Sequence, residues 1–242
     1  MEVWGRNADP AGPRWRVGDP GTPLATPDYD YDPALRLWAG REDCRGLGAR
    51  LTYFGFDEDT TNGNILIANL GSALEVYAFD LELTQRAKLS GWDLLFSGGM
   101  RIGGIDQSLS LIQGPDALTI SRDFDGVGLT IGLGAERAIG GGLGFYSNLR
   151  GSLLYGDADI DVTATPGILG GFAGTVAQVP NQTISVMEVQ MGLEYERNFG
   201  NTGVTLRAGF EGQLWEQPPI VLGLLDSNVG LVGPTVSIAF TR

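Results

Sequence analysis

The feature that most constrains the fold is a strict alternation of apolar and polar residues over long stretches. Between residues 187 and 196 the alternate positions on one side are Met187, Val189, Met191, Leu193 and Tyr195, and those on the other include Glu188, Gln190, Glu194 and Glu196. Such a period of two predicts a β-strand with two different faces. A face rich in carboxylates cannot line an ordinary core without partners. We therefore expect a closed barrel with a polar lumen and an apolar, lipid-facing outside.

Length and composition fit one all-β domain. The 242 residues include 38 glycines, which suit bends and crowded positions in a barrel. The chain lacks the long unbroken apolar run of a membrane-spanning helix. We expect a single domain over residues 1–242, an up-and-down antiparallel transmembrane β-barrel of about ten strands, with eight or twelve as alternatives.

The alternation divides into nine strands joined by connections that are short and long in turn. The predicted strands are 32–40, 45–56, 73–87, 92–103, 124–138, 142–156, 183–198, 204–215 and 230–241. The long connections would be 57–72, 104–123, 157–182 and 216–229. This rhythm is typical of outer-membrane barrels, which have tight turns at one end and longer loops at the other.

An even strand number requires one further strand. We place it at residues 2–7, so that residues 1–31 hold a short first strand and a loop rich in Pro and Gly. This start of the chain has neither the basic nor the apolar region of a secretory signal, so either the sequence is a mature or truncated form or the membrane interpretation is wrong.

Aromatic residues are expected at the borders of the membrane. At the long-connection end these are Tyr53, Phe54 and Tyr155, and at the short-turn end they are Trp92, Tyr195, Phe199 and Phe240.

Parity along the strands collects charges of both signs on the inward face. The predicted lumen-lining residues are Arg36, Arg50, Asp80, Glu82, Asp93, Arg101, Glu136, Arg150, Glu188, Glu194, Glu196, Arg207 and Glu211. In a narrow barrel they either pair into a network that replaces an apolar core or leave a thin aqueous path. Both alternatives stay open, and excess carboxylate would favour cations in an open path.

The sequence offers little support for catalysis. It contains no histidine and no GxSxG motif, so we expect no enzyme activity, no cofactor and no metal centre. The acidic runs at 57–59 and at Asp157, Asp159 and Asp161 are better explained as solvated loops than as calcium sites. A net charge of −13 argues against nucleic acid as a partner.

Several strings resemble a known family. They are DYDYDPALRLWAGREDCRGLGARLTYFGFD, LEVYAFDLELTQRAKLSGWDLLFSGGMRIG, FDGVGLTIGLGAERAIGGGLGFYSNLRGSLLYG and VMEVQMGLEYER. From about Asp28 to Arg242 the chain is similar to the Legionella-type major outer-membrane proteins, a pore-forming family with members in planctomycete-like bacteria. The resemblance implies an outer-membrane barrel with pore activity as a candidate function.

Two classes of function follow from these patterns. The first is an integral outer-membrane barrel, either a narrow porin or a structural surface protein, in contact with outer-membrane lipid and with ions or small solutes as further candidate partners. The second is a soluble or periplasmic barrel that binds a small ligand, in which Leu129, Ile131 and Leu133 would point inward. A surface adhesin or assembly subunit would differ from the first class only in its loops. The oligomeric state stays open.

Overall fold

The computed structural model describes residues 32–65, 68–165, 171, 173–217 and 228–241. Within these ranges the chain forms one antiparallel sheet of nine strands in sequence order. The strands are β1 Leu35–Glu42, β2 Leu47–Ile65, β3 Ala68–Leu89, β4 Trp92–Gln113, β5 Asp116–Gly140, β6 Leu143–Ala164, β7 Ala173–Phe199, β8 Thr202–Glu216 and β9 Val229–Thr241. No helix in these ranges is long and apolar enough to cross a membrane.

The up-and-down arrangement confirms the predicted fold class. Every strand pairs with its neighbour in sequence, and β1 and β9 are the edge strands of the described sheet. The predicted first strand at residues 2–7 and the loop that follows it lie outside the described residues.

The connections at the two ends of the barrel differ in length, but less than the sequence predicts. At one end, called the turn end, short connections follow β1, β3, β5 and β7. The opposite end, which carries the connections after β2, β4, β6 and β8, is called the hairpin end. At the hairpin end, the predicted loops at 57–72, 104–123 and 157–182 are largely wrong, because β2 to β7 continue through most of these residues as paired strands.

The hairpin of β4 and β5 shows why the strands continue. Ser110 and Thr119 lie opposite each other, and their hydroxyl oxygens are 3.0 Å apart. The strands reverse only at Gly114, whose φ is +60°, and Pro115. This Gly-Pro pair supplies the turn chemistry, so the polar residues before it belong to strands.

The two faces of the sheet separate as the alternation predicts. Leu129 and Ile131 are 70% and 69% exposed on the outer face of the sheet. Met191 and Leu206 are also partly exposed on this face. Arg101, on the other face, is 1% exposed. The alternative of a soluble barrel with Leu129, Ile131 and Leu133 inside is therefore wrong.

Most of the predicted border aromatics are exposed on the outer face, namely Tyr53, Tyr155, Tyr195, Phe199 and Phe240. Trp92 is half-buried and packs edge-on against Phe145. The prediction of Phe54 at the membrane border is wrong, since Phe54 is 2% exposed on the inner face. It has the parity of Arg50 and Thr52, which also face inward.

Close strand contacts at glycine help the sheet to curl. A Cβ at Gly128 would collide with the backbone carbonyl of Leu153, and one at Gly99 would collide with that of Leu81. The curl brings distant strands together, so that Arg36 of β1 reaches Glu188 of β7 and Glu211 of β8.

Candidate functional site

The interior of the barrel is the candidate functional site, and it is built in layers. The charged layer consists of Arg36, Arg50, Asp80, Glu82, Arg101, Arg150, Glu188 and Glu211. The rim at the turn end consists of Asp93, Glu136, Glu194, Glu196 and Arg207. The apolar layer lies toward the hairpin end and consists of Ala34, Phe54, Phe56, Leu74, Val76, Ala78, Ile105, Phe124, Leu154, Ala158, Ile184, Val186, Trp215, Val229 and Leu231.

Arg101 is the most enclosed cation of the charged layer. Its Nε donates to Asp80 Oδ1 at 2.6 Å, and its Nη2 donates to Asp80 Oδ2 at 2.9 Å. The same Nη2 lies 2.5 Å from Glu188 Oε1. A bidentate pair of this kind fixes both side chains and compensates for the loss of hydration.

The other arginines extend this network across the lumen. Arg36 Nη2 lies 3.0 Å from Glu188 and 2.5 Å from Glu211. Arg150 bridges Asp80 at 3.2 Å and Glu82 at 3.1 Å. Arg50 adds a contact to Glu82 at 2.8 Å. The charged layer therefore contains equal numbers of guanidinium and carboxylate groups, and their formal charges cancel.

The rim is more open. Arg207 Nη2 lies 2.5 Å from Glu136 and 3.0 Å from Glu194, and these side chains are only partly buried. Asp93 lies 3.5 Å from the exposed ammonium of Lys88. Glu196 is exposed at the turn end. These residues border the lumen without enclosing it.

A cavity of about 110 Å³ lies between the charged layer and the rim. Its lining includes Arg36, Trp38, Arg50, Arg150, Glu188 and Arg207. A polar space of this size has room for water and offers it several hydrogen-bond partners. The turn half of the lumen is therefore polar.

Toward the hairpin end, the apolar layer interrupts the polar lumen. The side chains of the apolar layer are buried, and Trp215 and Phe124 are fully enclosed. The expectation of a lumen that is polar throughout is wrong here, because Phe54, Val76, Val186 and their neighbours occupy inward positions. Parity along each strand is the signal that would have found them.

Trp215 joins the apolar layer to the charged layer. Its Nε1 donates to Gln213 Oε1 at 3.0 Å, and Gln213 Nε2 donates to Glu211 Oε1 at 3.1 Å. Glu211 in turn accepts a hydrogen bond from Arg36. The two layers therefore form one connected packing unit.

Carboxylates form a row on the outside, at the hairpin end and beyond the exposed apolar band. One from each of β2 to β6 lies in register with the next, in the order Asp57, Glu75, Asp106, Asp123 and Asp159. Burial and the charges of Asp123, Asp125 and Glu75 raise the pKa of Asp106 from 3.8 to about 6.

Other ionisable groups in and beside this row also have raised pKa values. Burial and nearby carboxylates raise the pKa of Asp123, and a hydrogen bond to Asp125 raises the pKa of Tyr77 to about 12. Within the described part of the chain, no group of His, Cys, Asp and Glu is arranged to hold a metal ion. The row is thus a concentration of negative charge on strands, whereas the sequence predicts acidic loops.

Comparison with known proteins agrees with this architecture. The family model described as Legionella pneumophila major outer membrane protein precursor matches residues 23–241. No curated protein matches the chain. The match covers nearly the whole sequence, which confirms both the family resemblance and the location that it implies. The chain belongs to the Legionella pneumophila major outer membrane protein family, and it is a β-barrel protein of the outer membrane.

Proposed function

We propose that this outer-membrane barrel is a structural surface protein whose lumen is closed to solutes, rather than an open porin. The proposal includes no catalysis. Its outer apolar side chains, such as Leu129 and Ile131, would contact outer-membrane lipid, and its hairpin end would face the cell exterior.

The observation that carries the proposal is the apolar layer. Val76, Phe124, Leu154, Ile184 and Trp215 have no more than traces of exposed surface, and they come from β3, β5, β6, β7 and β8. A dry layer that spans the lumen excludes hydrated ions, because an ion would lose its water there without gaining polar partners.

A narrow pore is the second candidate, and the cavity beside the charged layer favours it. Water in that cavity would form half of an aqueous path from the turn end. Conduction would then require the apolar layer to move aside. The two candidates therefore differ in whether the resting barrel conducts.

Planar-bilayer recording of the purified full-length chain tests this difference. We expect no stepwise conductance from the wild-type protein. The double variant Phe54→Ala with Trp215→Ala removes two large side chains from the apolar layer and should produce discrete conductance steps. Steady channels from the wild-type protein would contradict the proposal and support the pore.

The matched control removes aromatic volume from the outer face instead. Phe79 and Phe210 are 43% and 66% exposed outside the barrel. The double variant Phe79→Ala with Phe210→Ala should stay silent. Conductance from this control would show that loss of aromatic side chains makes the barrel leak wherever they lie.

A further inference from the structure

Arg122 is a buried cation beyond the apolar layer, at the hairpin end of the barrel. It lies on the inner face of β5 and is 1% exposed. Its Nη2 donates to Gln182 Oε1 on β7 at 3.2 Å. Within the described part of the chain, its Nε and Nη1 are buried without a hydrogen-bond partner. Two strong donors of one guanidinium are thus unused there.

Among the residues that the structure describes, no carboxylate is paired with Arg122, and the buried Glu58 of the same register row lies three strands away on β2. The paired neighbours of Arg122 across the sheet are Gln107 on β4 and Ile160 on β6, neither of which is charged. Asp106 and Asp123 are adjacent in sequence to Gln107 and Arg122, so strand alternation directs them to the outer face. No ion pair of Arg122 occurs within the ranges that the structure describes.

The side chain nevertheless keeps its proton at neutral pH. Burial lowers the pKa of Arg122 to about 10, which is still well above 7. A buried charge without a counter-charge is strongly unfavourable in a protein interior. Water could accept hydrogen bonds from Nε and Nη1, but it would not neutralise the guanidinium. An anion would do both.

We propose that Arg122, with Gln107 and Gln182 beside it, binds a small monovalent anion inside the hairpin end of the barrel. The unused Nε–H and Nη1–H donate to it. The amide oxygen of Gln107 is buried and has no partner among the described residues, and rotation of that amide would present an N–H donor instead. The surrounding side chains enclose Arg122, which favours an anion of the size of chloride or formate over a phosphate ester.

The site is independent of conduction through the lumen. It lies on the hairpin side of the apolar layer, whereas the cavity and the charged layer lie on the turn side. An anion that binds only the folded barrel stabilises it in proportion to its occupancy. With the hairpin end facing the cell exterior, as in the proposed function, the site would couple the stability of that end to the anions outside the cell.

The test measures urea unfolding of the full chain refolded in detergent micelles at pH 7. Sodium gluconate is replaced stepwise by sodium chloride at constant ionic strength, so that screening stays the same. We expect the unfolding midpoint of the wild-type protein to rise with chloride and then saturate. Arg122→Gln should lose this rise, and Arg122→Lys should keep it at higher chloride concentration.

Arg137→Gln is the matched control, because Arg137 lies over the ring of Trp92 at the turn end. It should retain the chloride-dependent rise. An unchanged wild-type midpoint, or an equal rise in Arg122→Gln, would overturn the proposal.

A second measurement, made on the wild-type protein, tests anion binding even if Arg122→Gln does not fold. The ³⁵Cl resonance should broaden in the presence of the folded barrel, and formate should reverse the broadening by competition. No broadening beyond that of empty micelles would also overturn the proposal.

Discussion

The indole of Trp215 on β8 lies against the backbone of Gly103 on β4, so that a Cβ added at Gly103 would come within 3.5 Å of the indole Cη2. These strands are separated by three others in the sheet. One side chain therefore reaches across the lumen to the facing strand, and the tight neighbour of a Cβ at Gly103 is the backbone carbonyl of Tyr77 at 2.9 Å instead.

Two substitutions at Trp215 should separate its packing from its hydrogen bond. Trp215→Ala leaves a cavity and should lower the free energy of unfolding by about 3–5 kcal/mol. Trp215→Phe keeps most of the packing but loses the bond to Gln213, and should cost about 1–2 kcal/mol. Urea unfolding in lipid vesicles measures both. Equal losses in the two variants would contradict the assigned packing role.

The charged layer predicts a large effect from a single buried arginine. Arg101→Gln removes the cation that Asp80 and Glu188 share, so their buried negative charges are less well compensated. The variant should lower the free energy of unfolding by about 3–5 kcal/mol. Lys88→Gln breaks the exposed contact with Asp93 and should change it by less than about 1 kcal/mol. The same vesicle assay compares them, and similar small losses would show that the charged layer contributes little.

Sequence alternation predicts the side of the sheet on which a residue lies. Leu129 outside and Arg101 inside follow from a period of two, since one face of a barrel meets lipid and the other does not. The same parity places Phe54 inside with Arg50, but an aromatic residue near a strand end also fits a membrane border. The residue type alone therefore does not show whether Phe54 lies on the inner face or at the membrane border.

Two of the residues missed by the sequence analysis lie where both faces of a strand are polar. Glu58 and Arg122 are buried on the inner face, but they fall in segments predicted as loops. With Asp57 or Asp123 beside them, the apolar alternation disappears, although strand pairing continues. Backbone pairing in register, rather than apolar alternation, identifies these segments as strands.

The orientation of the faces predicts opposite tolerance to charge. Val189 is 38% exposed on the outer face, midway on β7 between Thr183, which lies opposite the border residue Tyr155, and Tyr195. Val189→Arg would therefore place a cation against lipid near the membrane centre, at a cost of about 2–4 kcal/mol. Glu194→Gln affects only the rim, where Glu194 accepts a hydrogen bond from Arg207 at 3.1 Å.

Membrane assembly of the two variants can be compared by heat-dependent migration in gels after refolding into vesicles. We expect Val189→Arg to lose most of the folded, fast-migrating band and Glu194→Gln to retain it. Leu206 also faces outward but lies opposite the border residue Tyr195, so Leu206→Arg should lose less of this band than Val189→Arg does. Equal folding of all the variants would be incompatible with the outer face meeting lipid.

The row of outer carboxylates predicts that acid stabilises the hairpin end. The pKa of Asp106 is raised from 3.8 to about 6, so the folded hairpin binds more protons than the unfolded chain between these pH values. Its stability should therefore rise as the pH falls from 7 toward 5. Asp106→Asn removes this titration and should stabilise the hairpin at pH 7, with a weaker pH dependence.

Hydrogen exchange of the amides in β4 and β5, corrected for the intrinsic effect of pH on exchange, measures this stability. The raised pKa of Asp123 should leave part of the pH dependence in Asp106→Asn. Glu196→Gln, at the exposed turn end, should exchange as the wild-type protein does in this hairpin. If Asp106→Asn kept the full pH dependence of the wild-type protein, repulsion within the row would not control the hairpin, because removal of its most strongly shifted carboxylate would have changed nothing.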